Sequence, residues 1–323
     1  MRAMVQDVYG TPDVLRLDEM ARPVPGPGEV LLRVRAAGVD MGVWHLVAGM
    51  PLAIRAAGFG LRAPKQRVPG MDVAGRVEAV GPDVTRLRPG DEVYGTCTGS
   101  FAEYACAKED ELAPRPSRLT PEQAAVVTIS GSTALQAVRA GRLRPGGRVL
   151  VIGASGGVGT YAVQLAKALG AAHVTGVCSA GKADLVRSLG ADEVLDYARE
   201  DPTDGARRYD LVLDIAGNHP LRRLRRVLAP GGTLVMVGGE TDGRWLGGYQ
   251  RALGALVLSP FIRHRVRVLA SNPKPEDLRA LGELIESGSL TPAVDRTYPL
   301  AEVPDAVRRL KSGRVRGKIA ISV

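Results

Sequence analysis

The chain has 323 residues, 45% hydrophobic and 24% charged, with a formal net charge of +9, so it is long enough for two cores and is ordinary globular material. With only three Phe and two Trp, the arginine clusters around 222–226, 263–267 and 308–316 lack the interleaved aromatics of a single-strand binder; nucleic acid is not an expected partner. The longest apolar run, 252–262, lies between Arg251 and Arg263 and is too short for a membrane span. The start of the chain lacks a signal-peptide pattern, and Cys97, Cys106 and Cys178 form no C-x-x-C pair, so a cytoplasmic location is expected.

Up to about residue 120 the chain is rich in Gly, Pro and β-branched residues, with alternating runs that predict strands at 29–36, 73–80, 91–94 and 101–106. Thr120 and Pro121 then suit an N-cap and first helical position, opening a helix over 123–140. Strands at 149–152, 173–177, 193–195, 211–214 and 233–237 follow, separated by helices at 159–169, 182–189 and 218–228. That alternation predicts βαβ crossovers in a parallel sheet. A sixth strand is expected at 266–270 and a helix from Pro275 to about 287. The remaining tail, with 303–310 and an apolar final strand at 318–323, is too short for a third domain and is expected to pack on the first half.

The stretch from Arg148 to Gly159 is the most informative in the chain: an apolar strand feeds a helix through glycines. Amide groups at such a helix start are unpaired and partly positive, so Ser155, Gly156, Gly157, Val158 and Gly159 are candidates to hold a pyrophosphate. Ala154 stands at the first fingerprint position, Gly156 and Gly159 at the second and third. Nineteen residues past Gly159, Cys178 occupies the place where an NAD enzyme carries the acid that binds the adenosine ribose. Ser179 and Lys182 follow at once, a hydroxyl and a cation suited to a 2′-phosphate, and NADPH is the expected cofactor. The structural alternative is that these two residues only begin the next helix.

The ordered motifs Pro69-Gly70-Met71-Asp72, Gly81-Pro82-Asp83-Val84, Pro89-Gly90-Asp91-Glu92-Val93-Tyr94-Gly95, Gly99-Ser100-Phe101-Ala102-Glu103-Tyr104, Ala154–Gly159 and Gly317-Lys318 resemble the medium-chain dehydrogenase/reductase superfamily. More narrowly, they resemble its zinc-free quinone oxidoreductase branch, over nearly the whole chain. The resemblance implies an α/β protein: a GroES-like β-rich substrate domain (1–121 and 272–323) beside a Rossmann NADPH-binding domain with a doubly wound parallel sheet (122–271). It also implies an active site in the cleft between them and a homodimer joined through the edge of the cofactor sheet. Further cofactor contacts are implied at Thr133, Tyr197, Gly217, Asn218, Val237, Gly238, Gly239 and Lys318.

No metal is expected, because the places where zinc relatives carry ligands hold Val39-Asp40 and Met71-Asp72 here, and the region just before Ser155 has no Cys. The implied activity is NADPH-dependent reduction of quinones or of the C=C bond of α,β-unsaturated carbonyls. Its rivals are a zinc-free NADP-dependent alcohol dehydrogenase and a non-catalytic NADPH- or RNA-binding protein. Catalytic candidates are Asp40, Trp44, His45 and Tyr94, with Tyr9 beside them. Asp40 leads because relatives carry Asn after Ala-Gly-Val; an ionised Asp accepts rather than donates, which suits a ribose hydroxyl and an orienting role at the nicotinamide riboside. The plainer alternative is a turn residue capping a helix. Two apolar segments, 46–61 and 245–262, either line the mouth of the cleft, which implies a lipophilic small-molecule substrate, or lie in a core or dimer interface.

Overall fold

The computed structural model describes residues 1–238, 243, 245, 247, 251, 254–255 and 264–323. In chain order its strands are β1 Arg2–Val5, β2 Arg16–Glu19, β3 Glu29–Val39, β4 Asp72–Val80, β5 Glu92–Thr96, β6 Tyr104–Lys108 and β7 Leu112–Pro114. They continue with β8 Arg148–Ile152, β9 His173–Cys178, β10 Glu193–Asp196, β11 Tyr209–Asp214, β12 Leu228–Met236, β13 Arg265–Val268, β14 Val294–Pro299 and β15 Lys318–Ser322. The chain divides into two compact units: Met1–Ser132 with Pro273–Gly288 and Pro292–Val323, and Thr133–Asn272 with Ser289–Thr291.

In the first unit a seven-stranded sheet runs β14-β15-β3-β4-β5-β7, with β6 also pairing β3. β3 is its spine. Val30, Leu32 and Val34 point into a core while Arg33 and Arg35 face water, the two-residue period of a half-buried strand. One edge of β3 is divided: Glu29 to Arg33 pair with β6, and Ala36 to Val39 pair antiparallel with β15. Its last residues are small for a reason, since a Cβ on Gly38 would come 2.4 Å from the Ala125 carbonyl oxygen and 2.8 Å from Asp72 Cβ.

The second unit holds a six-stranded sheet in the order β10-β9-β8-β11-β12-β13, every pair parallel. Counted within the sheet this is 3-2-1-4-5-6, the doubly wound order that opens a ligand crevice where the winding reverses, between β8 and β11. Val149, Leu150 and Val151 are completely buried, as expected of a parallel strand covered on both faces. Gly159 through Ala166 are buried along the helix Gly157–Ala168 that follows. Each fully buried Leu or Val side chain contributes about 1.5–3 kcal/mol over its exposed state.

The strands expected at 29–36 and 73–80 and the six of the parallel sheet are present, with ends shifted by a few residues. Two expectations need correction. The helix expected over 123–140 is two helices, Pro121–Ala124 and Thr128–Ala140. Between them Val126 N donates to Gln123 O and Val127 N to Ala124 O; these tighter i→i−3 bonds turn both valines into the core. The run at 101–106 starts late: Phe101 is core packing held by Pro69 O, and the strand begins at Tyr104.

Candidate functional site

The loop after β8 has the shape the glycines predict. Gly153 takes φ +90°, and a Cβ there would meet Ala216 N at 3.2 Å, so the loops after β8 and β11 pack together at the point where the winding reverses. Gly159 is fixed by close approach: its Cβ would lie 2.1 Å from Gly153 O and 2.8 Å from Ala154 C. Gly156, by contrast, caps the helix Gly157–Ala168 in extended conformation, and its Cβ would meet only Gly153 O, at 3.5 Å. The space beside it is open. The first intrahelical bond runs from Thr160 N to Gly156 O, and the amides of Gly157, Val158 and Gly159 have no acceptor among the described residues. Ser155 is nearly buried beneath this rim. A diphosphate fits such a cradle of unpaired amides at a helix start.

Neighbouring strand ends carry the other predicted residues. Cys178 ends β9 buried, and its carbonyl accepts from Tyr197 N, which brings the ends of β9 and β10 together; Tyr197 itself is exposed. Ser179 accepts from Lys182 N at 3.0 Å in a single 3₁₀ turn, and both side chains are half-exposed. At the end of β11, Asp214 is completely buried. It accepts from Gly217 N at 3.1 Å and pairs with Arg251; burial pushes its carboxyl up, opposed by that guanidinium. Gly217 takes φ +72°, and Asn218 is exposed. Val237 and Gly238 both donate to Asp214 O, and a Cβ on Gly238 would strike Ile215 O at 2.1 Å. Thr133 Oγ1 donates to Ser271 Oγ at 2.9 Å. Gly239 and most of the segment 245–262 lie outside the described residues.

The first unit holds a buried charged cluster that joins three strands. Asp72, at the start of β4, is completely buried; it accepts from Ile129 N at 2.9 Å and from Lys318 Nζ at 3.4 Å. Lys318, at the start of β15, is 2% exposed and stands 3.9 Å from Asp40 Oδ2. Asp40 follows β3 and is the N-cap of the helix Met41–Ala48, its Oδ1 accepting from Val43 N at 3.1 Å. Its Oδ2 is buried with no hydrogen-bond partner among the described residues. Burial pushes the Asp72 carboxyl up to about 7, Lys318 pulls it down and Asp40 raises it further. The family resemblance singled out Asp40 and Lys318 separately. Asp72 escaped notice because nothing local in the sequence joins positions 40, 72 and 318.

The other catalytic candidates are engaged. Tyr94 is completely buried, and its hydroxyl donates to Leu278 O at 2.8 Å. His45 Nδ1 lies 2.6 Å from Met50 O, so that nitrogen carries the proton. Trp44 packs on the core of the first unit under Lys311, whose ammonium is 4.9 Å from the ring centroid. Tyr9 donates to the carbonyls of Phe59 and Gly60 beneath Arg55. That bond pins the segment 46–61, whose Phe59 and Leu61 are exposed. Among the described residues no three His, Cys, Asp or Glu converge as a metal-ion site, and no helix is long and apolar enough to cross a membrane.

Residues 26–117 match the family described as alcohol dehydrogenase GroES-like domain, and residues 189–321 the family described as zinc-binding dehydrogenase. The chain is 33% identical to the mitochondrial NAD(P)H oxidoreductase RTN4IP1 of Mus musculus, over 100% of this chain and 89% of that protein. It is 32% identical to the 2-methylene-furan-3-one reductase of Solanum lycopersicum, over 99% of this chain and 79% of that one. The solved quinone oxidoreductase from Coxiella burnetii superposes with a TM-score of 0.87 at 27% identity, over 100% and 99% of the two chains. The chain belongs to the medium-chain dehydrogenase/reductase family. Within that family it is quinone oxidoreductase-like: an oxidoreductase with a nicotinamide cofactor, a GroES-like unit and a Rossmann unit, acting on a small molecule.

Proposed function

We propose that this protein uses NADPH to reduce quinones or the C=C bond of α,β-unsaturated carbonyls, without a metal. The observation that carries the choice of cofactor is the end of β9, where Cys178 replaces the usual acid and Ser179 and Lys182 stand half-exposed beside it. A carboxylate there would repel a 2′-phosphate; a hydroxyl and an ammonium attract it. Ser155, the amides of Gly157 to Gly159 and the open space at Gly156 hold the pyrophosphate in this reading. Gly217, Asn218, Val237 and Gly238 line the path toward the nicotinamide, with Tyr197 beside the adenosine phosphate and Thr133 an additional contact.

The bound dinucleotide supplies a hydride and two electrons. What the protein adds is position and charge. In this reading Asp40 orients the nicotinamide riboside. The metal-free reading is supported by the donor set, since Asp40 and Asp72 are tied to Lys318 and to backbone amides and no third ligand converges on them among the described residues. Exposed Phe59 and Leu61 favour a lipophilic substrate. The three free cysteines suit a reducing compartment such as the cytoplasm, and a homodimer is part of the same reading.

The test is calorimetry with NADPH and NADH, followed by assays of both against a panel of quinones, enones and alcohols with and without chelator. We expect NADPH to bind more tightly, and Lys182→Ala to weaken NADPH about tenfold, or ~1.4 kcal/mol, with NADH unchanged. A preference for NADH, or loss of turnover with chelator, would overturn the reading.

A further inference from the structure

From Met41 to Met71 the chain carries no Asp or Glu, although it has 34 of them in 323 residues. Arg55, Arg62, Lys65 and Arg67 fall within the same stretch, among apolar residues. Apolar groups and cations without acids are what a surface needs in order to lie on anionic lipid. Composition alone does not bring them together; the fold of the first unit does.

Phe59 O accepts from Lys65 N at 3.0 Å and from the Tyr9 hydroxyl at 2.7 Å, and Gly60 O accepts from the same hydroxyl at 2.9 Å. These bonds close residues 59–65 into a tight loop and tie its base to the rest of the unit. Gly60 permits the closure: its φ is +111°, and a Cβ there would lie 2.0 Å from Ala63 O. Fixed in this way, the loop leaves Phe59 45% and Leu61 72% exposed, and Val8, next to Tyr9 in the chain, is 57% exposed. Large apolar side chains gathered on one loop and rimmed by charge mark an interaction surface. Arg62 and Lys65 are exposed and make no ion pair among the described residues. Asp7, the acid before Val8, is already held by Arg16 and Arg67, while Arg55 lies against the Tyr9 ring and donates to Gly49 O. The surface therefore presents apolar groups beside two uncompensated cations.

We propose that this loop docks the first unit on a membrane surface rich in anionic phospholipid. Phe59 and Leu61 enter the boundary between headgroups and acyl chains, and Arg62 and Lys65 pair with the lipid phosphates. Charge selects this occupant over a second copy of the chain, because an isologous contact would set two copies of the same unpaired cations face to face. The attachment is peripheral and reversible: two side chains bury little area, and salt screens the two cations. The proposal does not depend on the reductase reading. Under that reading it sets the protein against the phase in which a lipophilic quinone or enone dissolves.

The experiment is flotation of the whole protein with vesicles of phosphatidylcholine alone and of phosphatidylcholine and phosphatidylglycerol in equal parts, at low and at high salt, alongside sedimentation velocity without lipid. The wild type is expected to float with the anionic vesicles, to stay behind with the neutral ones, and to be released by salt. Leu61→Ser is expected to lower the partition coefficient about tenfold, and Arg62→Gln combined with Lys65→Gln about thirtyfold. The chain is basic as a whole, so Arg222→Gln combined with Arg226→Gln, exposed on the second unit, removes the same charge elsewhere and is expected to leave partition nearly unchanged. Leu61→Trp is expected to float at least as well as the wild type, its added emission shifting to the blue on anionic vesicles as the ring leaves water. Absence of flotation, full partition of the loop variants, an equal loss in the control pair, or no blue shift would overturn the proposal. So would a wild-type dimer that Leu61→Ser dissociates, since the loop would then belong to a second copy. None of these readouts involves turnover or a dinucleotide, so failure here is distinct from failure of the reductase reading.

Discussion

Two glycines three residues apart do opposite work. Gly159 lets the helix Gly157–Ala168 seat against the loop before it, whereas Gly156 borders open space. Gly159→Ala drives a methyl into Gly153 O and is expected to destabilise the second unit by about 1–3 kcal/mol. On the proposed reading, Gly156→Ala is expected to cost the second unit less than Gly159→Ala, through loss of a glycine N-cap, and to weaken NADPH at least about tenfold, because the methyl enters the open space assigned to the pyrophosphate. Thermal unfolding and calorimetry on the two variants separate these effects, and the reverse pattern would show that the cradle is assigned wrongly. Both glycines were legible in the sequence because their roles are local. Asp72 was not: its meaning depends on residues that come together only when three strands pair. The signal on offer was a charged residue opening an apolar strand, twice over, at Asp72 and at Lys318.

At the level of elements, capping chemistry was readable and short strands were not. Thr120 caps the helix Pro121–Ala124 in a full capping box with Gln123, as the pair Thr120 and Pro121 suggested. β1, β2, β7 and β14 are each three to six residues long and owe their conformation to pairing partners rather than to an alternating pattern. The helix Met41–Ala48 was hidden because the apolar residues of its sequence obscure the helical period, although Val43, Val47 and Ala48 are its buried members. Asp40 serves this helix whatever else it does. Asp40→Ala is expected to cost about 1 kcal/mol in the unfolding of the first unit, while Asp40→Asn, whose amide oxygen can still cap, costs a few tenths. Urea denaturation measures both; equal losses would mean that charge rather than capping dominates at this position.

For the molecule as a whole, parallel-sheet topology followed from alternation of apolar runs and helices, so the cofactor unit was the more readable of the two. The same scale governs response to pH. Asp72 is raised from 3.8 to about 7 on folding, so the folded chain keeps a proton that the unfolded chain releases. The stabilisation is complete below the unfolded value and drains away as pH rises through the folded one. The unfolding midpoint of the first unit is therefore expected to fall between roughly pH 4 and pH 7, and Asp72→Asn to flatten that fall. Calorimetric scans across this range would refute it by showing the same slope in both proteins.

The divided edge of β3 also has a bearing on biosynthesis. Its first half is covered by β6, met early in translation, but the stretch from Ala36 to Val39 waits for β15, and so do Asp40 and Asp72 for their shared cation. A ribosome finishes every strand of the parallel sheet before it reaches β15. A nascent chain thus carries a bare strand margin and two unneutralised acids for most of its elongation, the kind of margin that invites pairing with another copy. The first unit is thus the half of the protein that is begun first and completed last.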